Sequence, residues 1–244
     1  MKKDQFINLA SGDADRSIYR IVSCERFLKI LCDRENGLVR PRLWDDPFEN
    51  FILGCSAITP DGKPAKVGYH EQLYGQCWSL HRETDLMWRA YSPNKDGVKI
   101  RTTVRTLYDS LYAQARQYRD IACFIGRVQY FQKQRIRDVF SRVNLIDPSG
   151  VAIAATLLVK RWGFRSEREI RLIYYNNHHR SFSGKVFRYS LDPTLVFAEA
   201  VLDPRMPTVD FKKWKRRFES AGFANRIIQS GLYRLPEPLV LKIG

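Results

Sequence analysis

Cysteine is scarce and unpatterned. The five residues Cys24, Cys32, Cys55, Cys77 and Cys123 are an odd number with no Cys-x-x-Cys spacing, so neither a disulfide framework nor a cysteine zinc site is written here. Histidine is as thin, at four, and none falls in a metal-ligand spacing. The pair His178-His179 sits in a polar Asn-Asn-His-His-Arg turn where adjacent side chains diverge, and no metal site is expected. Long apolar runs are missing too. The longest, Val151 to Val159, is far short of a membrane span, and no apolar stretch backs Met1-Lys2-Lys3 as a secretion signal would require. A cytoplasmic protein without a membrane partner is expected. Repeats and low-complexity tracts are absent from the sequence as well. The 244 residues, 44% hydrophobic, are enough for one substantial core, and residues 1–244 are expected to form a single domain.

Acid is the other shortage. Against 41 Lys plus Arg stand 26 Asp plus Glu, a formal net charge of +15. Such an excess repels itself in a compact chain, and a polyanion relieves it, which makes nucleic acid the leading partner. A membrane surface comes second, because no basic segment has the opposing apolar face that interfacial binding needs. Lys212, Lys213, Lys215, Arg216 and Arg217 cover the outer surface of a helix predicted over Thr208 to Ala221, with Phe211, Trp214 and Phe218 inward. Such a run is usually a solvated face, yet with few acids nearby it is the best local candidate for contacts with a phosphate backbone.

What acid there is gathers in two places. The first is Phe164-Arg165-Ser166-Glu167-Arg168-Glu169-Ile170-Arg171, continuing as Leu172-Ile173-Tyr174-Tyr175. In an extended chain Glu167, Glu169, Arg171 and Ile173 share one face and Arg168, Ile170, Leu172 and Tyr174 the other. Apart from Arg168 the second face is apolar and belongs inside. The first carries two acids and a base, which suits chemistry on a ligand lying across the sheet, or else ordinary cross-strand ion pairs. The second place is Trp44-Asp45-Asp46-Pro47-Phe48-Glu49, a turn anchored by its aromatics, in which Asp46-Pro47 stops any helix.

Periodicity predicts strands at Ile18–Val22, Tyr74–Leu80, Val98–Thr102, Ile121–Phe131, Lys185–Ser190, Leu195–Leu202 and Asn225–Tyr233. Helices are predicted after Ser23, closed by Gly37; from the Thr84-Asp85 cap to Tyr91; over Leu107–Arg119; and from Asp147-Pro148-Ser149 through Trp162. Thr59 to Tyr69 reads as an exposed flap. Arg20 lies in the first core strand, where a buried guanidinium calls for a carboxylate or a ligand phosphate. Two Trp, a Tyr and two Arg between Trp78 and Arg101 suit a pocket that stacks a planar ring and holds an anion, with Trp88 in the core and Tyr91 at the ligand.

The succession Tyr19-Arg20, Trp44-Asp45-Asp46-Pro47-Phe48-Glu49, Cys77-Trp78-Ser79, Asp85-Leu86-Met87-Trp88-Arg89-Ala90-Tyr91 with Gly97-Val98, and Phe164 with Ser166-Glu167-Arg168-Glu169-Ile170-Arg171 resembles the bacterial domain-of-unknown-function family 2971. More distantly, an arginine on a first core strand, a serine on a later strand and a Glu-x-Glu opening a still later one are similar to the arginine-serine-glutamate layout of ADP-ribosyltransferases. That likeness implies an α+β fold with a twisted, mainly antiparallel split β-sandwich and peripheral helices, and NAD as co-substrate. It implies that Arg20 meets the NAD phosphates, Ser79 supports the nicotinamide ribose, Trp78 or Tyr91 stacks on nicotinamide, Glu169 is the catalytic acid and Glu167 orients the acceptor. Where those enzymes often show Ser-Thr-Ser, this chain has Cys77-Trp78-Ser79. The reaction implied is NAD-dependent ADP-ribosylation by a toxin or phage-defence effector with an antitoxin partner, and the basic charge makes a nucleic acid, RNA or DNA, the expected acceptor. Two other readings stay open: a non-catalytic nucleic-acid-binding or regulatory module in which Arg20, Glu167 and Glu169 form internal ion pairs, and a metal-dependent nuclease using Asp45, Asp46, Glu49 and the glutamate pair.

Overall fold

The structure is a computed structural model that describes residues 3–44, 46, 49, 56–58, 61–66, 71–115, 121–141, 143, 149–176 and 184–236. The strands of its first half are β1 (Phe6–Ile7), β2 (Ser17–Ser23), β3 (Glu35–Val39), β4 (Ser56–Ile58), β5 (Pro64–Lys66), β6 (Leu73–Ser79) and β7 (Gly97–Thr103). Those of the second are β8 (Ile121–Arg127), β9 (Gln129–Phe131), β10 (Val159–Arg161), β11 (Glu169–Asn176), β12 (Val186–Ser190), β13 (Glu199–Leu202) and β14 (Arg226–Gln229). Around them lie α1 (Cys24–Asp33), α2 (Asp85–Tyr91), α3 (Val104–Ala115), α4 (Lys133–Ser141), α5 (Val151–Thr156), α6 (Pro193–Val196) and α7 (Thr208–Ser220).

Ten strands form one sheet, ordered β1-β8-β11-β6-β2-β7-β13-β14, with β3 joined to β6 and β12 to β3. It is mostly antiparallel, as expected; β1 with β8 and β13 with β14 are parallel. At its centre β11 pairs with β6 along all of β6 and with β8 on its other edge. The far edge of β6 is divided. β3 meets it at Val39–Gly75 and β2 at Tyr19–Ser79, one residue pair each. The sheet therefore forks between β2 and β6, and the fork leaves a gap between strands where a regular sheet would be closed by hydrogen bonds.

Both faces of the sheet are covered. On one, Ile18, Ile100, Trp78, Ile170, Leu172 and Tyr174 pack under α1, α3 and α7, where Phe27 meets Phe197, Phe218 and Phe223 edge-on at 4.9–6.1 Å. On the other, Ile173, Tyr175, Leu73 and Phe124 pack under α5. Every residue of β11 is buried, and Glu169 and Arg171, on the face read as meeting a ligand or cross-strand ion pairs, lie on the side that holds the second core. Burying each large apolar side chain contributes about 1.5–3 kcal/mol, so β11 is fixed from both sides.

Several element boundaries differ from the periodicity. α1 ends at Arg34 in the left-handed region (φ 53°), and Gly37 instead lies inside β3, where a Cβ would stand 3.1 Å from Val186. The Ile121–Phe131 run breaks at Val128, whose N–H turns aside to the Glu169 carbonyl, so β9 leaves the main sheet and pairs in parallel with β10. The helix expected through Trp162 stops at Thr156; β10 and a 3-10 turn, Trp162–Glu167, follow. The Leu195–Leu202 strand begins as α6, because Asp192 caps it and Pro193 presets its first turn. The last strand closes at Gln229. Of the expected flap, residues 61–66 are described, with β5 pairing in antiparallel with the preceding β4; its other residues and His70, His178 and His179 lie outside the described residues.

Candidate active site

A cavity of about 190 Å³, partly open to solvent, fills the fork. Its walls are Tyr19, Arg20 and Ile21 from β2, Cys77, Trp78 and Ser79 from β6, Met87 and Tyr91 from α2, and Glu167 and Glu169 at the start of β11. Tyr19, Ser79 and Glu169 are direct cross-strand partners and point to one face; Arg20 and Trp78 point to the other. Residues of both faces can line one cavity because it is the gap between strands, not a hollow on a surface. All six residues that the ADP-ribosyltransferase likeness assigned to the site, Arg20, Trp78, Ser79, Tyr91, Glu167 and Glu169, come together here.

The Arg20 side chain makes no hydrogen bond or ion pair with any described residue. The groups that act on its charge are Cys77, Arg26, Tyr189 and Tyr91, none of them a carboxylate, and burial pulls the guanidinium down to about 10. A half-buried cation with no counter-ion among the described residues can take a ligand anion. Tyr91 caps the other side. Although it is 54% exposed, its phenol is pushed up to about 12 by burial and then by the charges of Glu167 and Glu169. Trp78 is more deeply committed. Its ring stacks on Phe197 at 6.4 Å within the main core and its indole N–H donates to Gln76 at 2.8 Å, so it contributes a wall and not a free plate.

The glutamates are held from the backbone outward. Arg168, at φ 45°, turns the chain from the 3-10 turn into β11, a left-handed conformation that costs a non-glycine residue free energy and persists at over-determined positions. The determination is visible: the Leu80 N–H donates to the Arg168 carbonyl, the Ser79 hydroxyl to the Glu167 carbonyl at 2.7 Å, and the Glu169 N–H to the Tyr130 hydroxyl at 2.9 Å. The Ser79 oxygen also accepts from the His81 N–H at 3.0 Å.

Around the side chains runs an ion-pair network. Lys160, on β10, sets its Nζ 2.9 Å from Glu49, 2.6 Å from Glu167 and 2.5 Å from Glu169. Arg171, fully buried, reaches Glu169 at 2.8 Å, Glu49 at 2.9 Å and the Leu157 carbonyl at 2.6 Å, and lies over the Trp44 ring. Trp44 fits only because residue 75 is glycine: a Cβ there would stand 2.6 Å from the indole. Three carboxylates thus face two cations, an excess of one negative charge. Burial raises both Glu167 and Glu169, and the network decides which yields. Burial and the hydrogen bond shared with Glu169 push Glu167 up to about 7. For Glu169, burial is outweighed by Arg171, by the Glu167 hydrogen bond and by Lys160, which hold it well below the usual range. Near neutrality the pair therefore holds one fixed carboxylate and one exchangeable proton.

The second acidic segment is drawn into the same network. Glu49 bridges Arg171 and Lys160, and Asp46 pairs with Arg161 at 3.0 Å; Asp45 lies outside the described residues. Where a metal-ligand reading would need a divalent cation, the protein supplies its own ammonium, Lys160. Among the described residues no group of three or more His, Cys, Asp and Glu is disposed to hold a metal ion. Lys160 and Tyr130 are the members that sequence reasoning missed; neither shares a strand or a spacing with the glutamates, and only the β9–β10 pairing brings them near.

The basic helix is as expected on its inner side, with Phe218 buried and Phe211 and Trp214 packed against the core. On its outer side two of the five charges are engaged: Arg217 pairs with Glu25 at 2.9 Å and Lys215 approaches Glu219 at 3.9 Å. Lys212, Lys213 and Arg216 have no ion pair among the described residues. No helix among the described residues is long and apolar enough to cross a membrane.

No curated protein matches the chain. Among solved structures, the chain is similar to Thermus sp. 2.9 DarT in complex with carba-NAD+, at 11% identity and a TM-score of 0.39 over 88% of this chain and 96% of that one. The same protein in complex with ADP-ribosylated ssDNA aligns at 11% identity and a TM-score of 0.40, over 88% and 94%. Residues 87–172, which run from Met87 on α2 to Leu172 on β11 and include Tyr91, Lys160 and both glutamates, match the family described as Protein of unknown function (DUF2971).

Proposed function

We propose that the fork binds NAD and that the protein transfers ADP-ribose to a nucleic acid. One observation carries this reading: Arg20, without a counter-ion among the described residues, shares a cavity with a carboxylate pair of which one member stays ionised. The planar guanidinium offers two parallel donors to a pyrophosphate. A cavity of about 190 Å³ is too small for a whole dinucleotide, so the nicotinamide end would occupy it and the remainder would extend beyond it. When the bond between ribose C1′ and nicotinamide N1 breaks, its electron pair leaves with nicotinamide and positive charge develops on the sugar, where the fixed Glu169 carboxylate stabilises it. The acceptor then bonds to C1′ and its proton passes to Glu167 in that residue's ionised form, populated from about neutral pH upward. A basic surface favours a nucleic-acid base or sugar as acceptor, and modification of that kind fits a toxin or phage-defence effector restrained by an antitoxin.

A second reading has its own support, since both oxygens of Glu169 already have cationic partners: a non-catalytic nucleic-acid-binding module with an internal ion-pair network. Incubation with labelled NAD and single-stranded DNA or RNA separates the two. Transfer that vanishes in Glu169→Gln, while NAD binding and folding persist, supports the enzyme. A variant that loses several kcal/mol of stability, on the order expected for a broken buried pair, with nucleic-acid binding intact and no transfer by the parent protein, supports the module.

A further inference from the structure

Lys160 lies outside the cavity wall, 8% exposed, yet touches three acids at once. Its ammonium lies over the Phe164 ring, 4.6 Å from the centroid, and its strand is placed by β9, not by the sheet that carries the glutamates. A buried lysine needs one partner for charge balance; this one takes an oxygen from each member of the carboxylate pair. The two contacts, 2.6 and 2.5 Å, set the separation of Glu167 and Glu169 and leave the remaining Glu169 oxygen to Arg171 at 2.8 Å. An amine with three donors in a tripod can hold three acids at different depths, which a flat guanidinium cannot do in the same space.

We propose that Lys160 is a positioning residue that clamps the carboxylate pair, fixing Glu169 toward the ribose and leaving Glu167 as the member that exchanges the acceptor's proton; this rests on the transferase reading above. The clamp acts on geometry as well as on charge. The other groups that face the pair are Glu49, Arg171, Tyr91, Tyr130 and Cys77, and of these only Arg171 is a second cation. Deleting the lysine leaves three carboxylates with one base, so both members of the pair hold protons more tightly and lose their mutual register.

The test is steady-state NAD cleavage and transfer by Lys160→Met, Lys160→Arg and the double variant Glu49→Gln with Lys160→Met, beside the parent and Glu169→Gln. For Lys160→Met the expected result is a kcat lowered about 100-fold, as for a catalytic group displaced by roughly 1 Å, an unchanged KM for NAD, and a neutral limb of the pH profile moved upward from about 7. Lys160→Arg recovers part of kcat. The double variant faces two carboxylates with one cation, again an excess of one, so its limb returns toward the parent's while kcat stays low; it also serves if Lys160→Met does not fold. Full turnover in Lys160→Met or in the double variant, with only a lowered melting temperature, overturns the clamp while an inactive Glu169→Gln leaves the transferase reading standing. A parent protein that neither cleaves NAD nor transfers ADP-ribose overturns both.

Discussion

Ser79 stands directly across the β6–β11 pair from Glu169, but its hydroxyl donates to the carbonyl of Glu167 and accepts from the N–H of His81. Both of its local bonds brace the turn that aims the glutamates. The serine is therefore placed to hold the carboxylate pair's backbone and has one lone pair left for a ribose.

Ser79→Ala is accordingly expected to lower kcat more than it weakens NAD binding, with a stability loss of about 1 kcal/mol for the lost hydrogen bonds. Calorimetric titration with NAD and single-turnover transfer on one preparation give both numbers. A variant that fails to bind NAD yet melts like the parent would make Ser79 a ribose contact and not a brace.

Arg20→Met separates binding from folding in the opposite direction. Removing a half-buried cation that has no partner among the described residues breaks no ion pair, so the melting temperature should hold while NAD binding falls by at least about tenfold, the loss of a charge-assisted contact. A clear drop in melting temperature would reveal a protein carboxylate as its partner.

The glutamate pair gives stability two opposed slopes with pH. Glu167, raised to about 7, binds its proton more tightly folded than unfolded, so its contribution is complete below about 4.5 and is lost as pH rises to about 7. Glu169, lowered, contributes fully above about 4.5 and loses that contribution as pH falls further. Melting temperatures across pH 3 to 8 should show Glu167→Gln flattening the decline between about 4.5 and 7 while the acid-side loss remains. Parallel curves for variant and parent would remove the shift from Glu167.

Lys213→Ala with Arg216→Ala should weaken nucleic-acid binding at every sequence and reduce the salt slope by about 1.4 to 1.8, two phosphate contacts' worth. Arg217→Ala should do less to the slope and more to stability, because that side chain is tied to Glu25 and lies over Trp214. An unchanged slope in the double variant would show the helix face to be solvated and idle.

The main strands and their order of burial were legible in the sequence because alternation and flanking turns marked them, and the Glu167–Glu169 spacing marked the entry to β11. Arg20 was legible too, since a base in an apolar strand is conspicuous. Lys160 was not: it sits in a short β10 that periodicity merged with the preceding helix, and its role depends on a parallel pairing with β9 that no local signal announces. The burial of β11 on both sides was hidden for a related reason. Paired charges satisfy one another inside a core, so the Glu-Arg alternation that reads as a wet face is equally a closed network.

The fork has a consequence for when the protein can act during its synthesis. β11 enters the sheet between β6 and β8, two strands translated before it, and only then does Glu169 come to face Ser79 and the cavity close. A ribosome that has made the first hundred and fifty residues has delivered Arg20, Ser79 and Tyr91 but not Lys160 or either glutamate. Such long-range closure is the slow part of folding, so prematurely terminated chains carry the proposed dinucleotide anchor without the groups for the proposed chemistry.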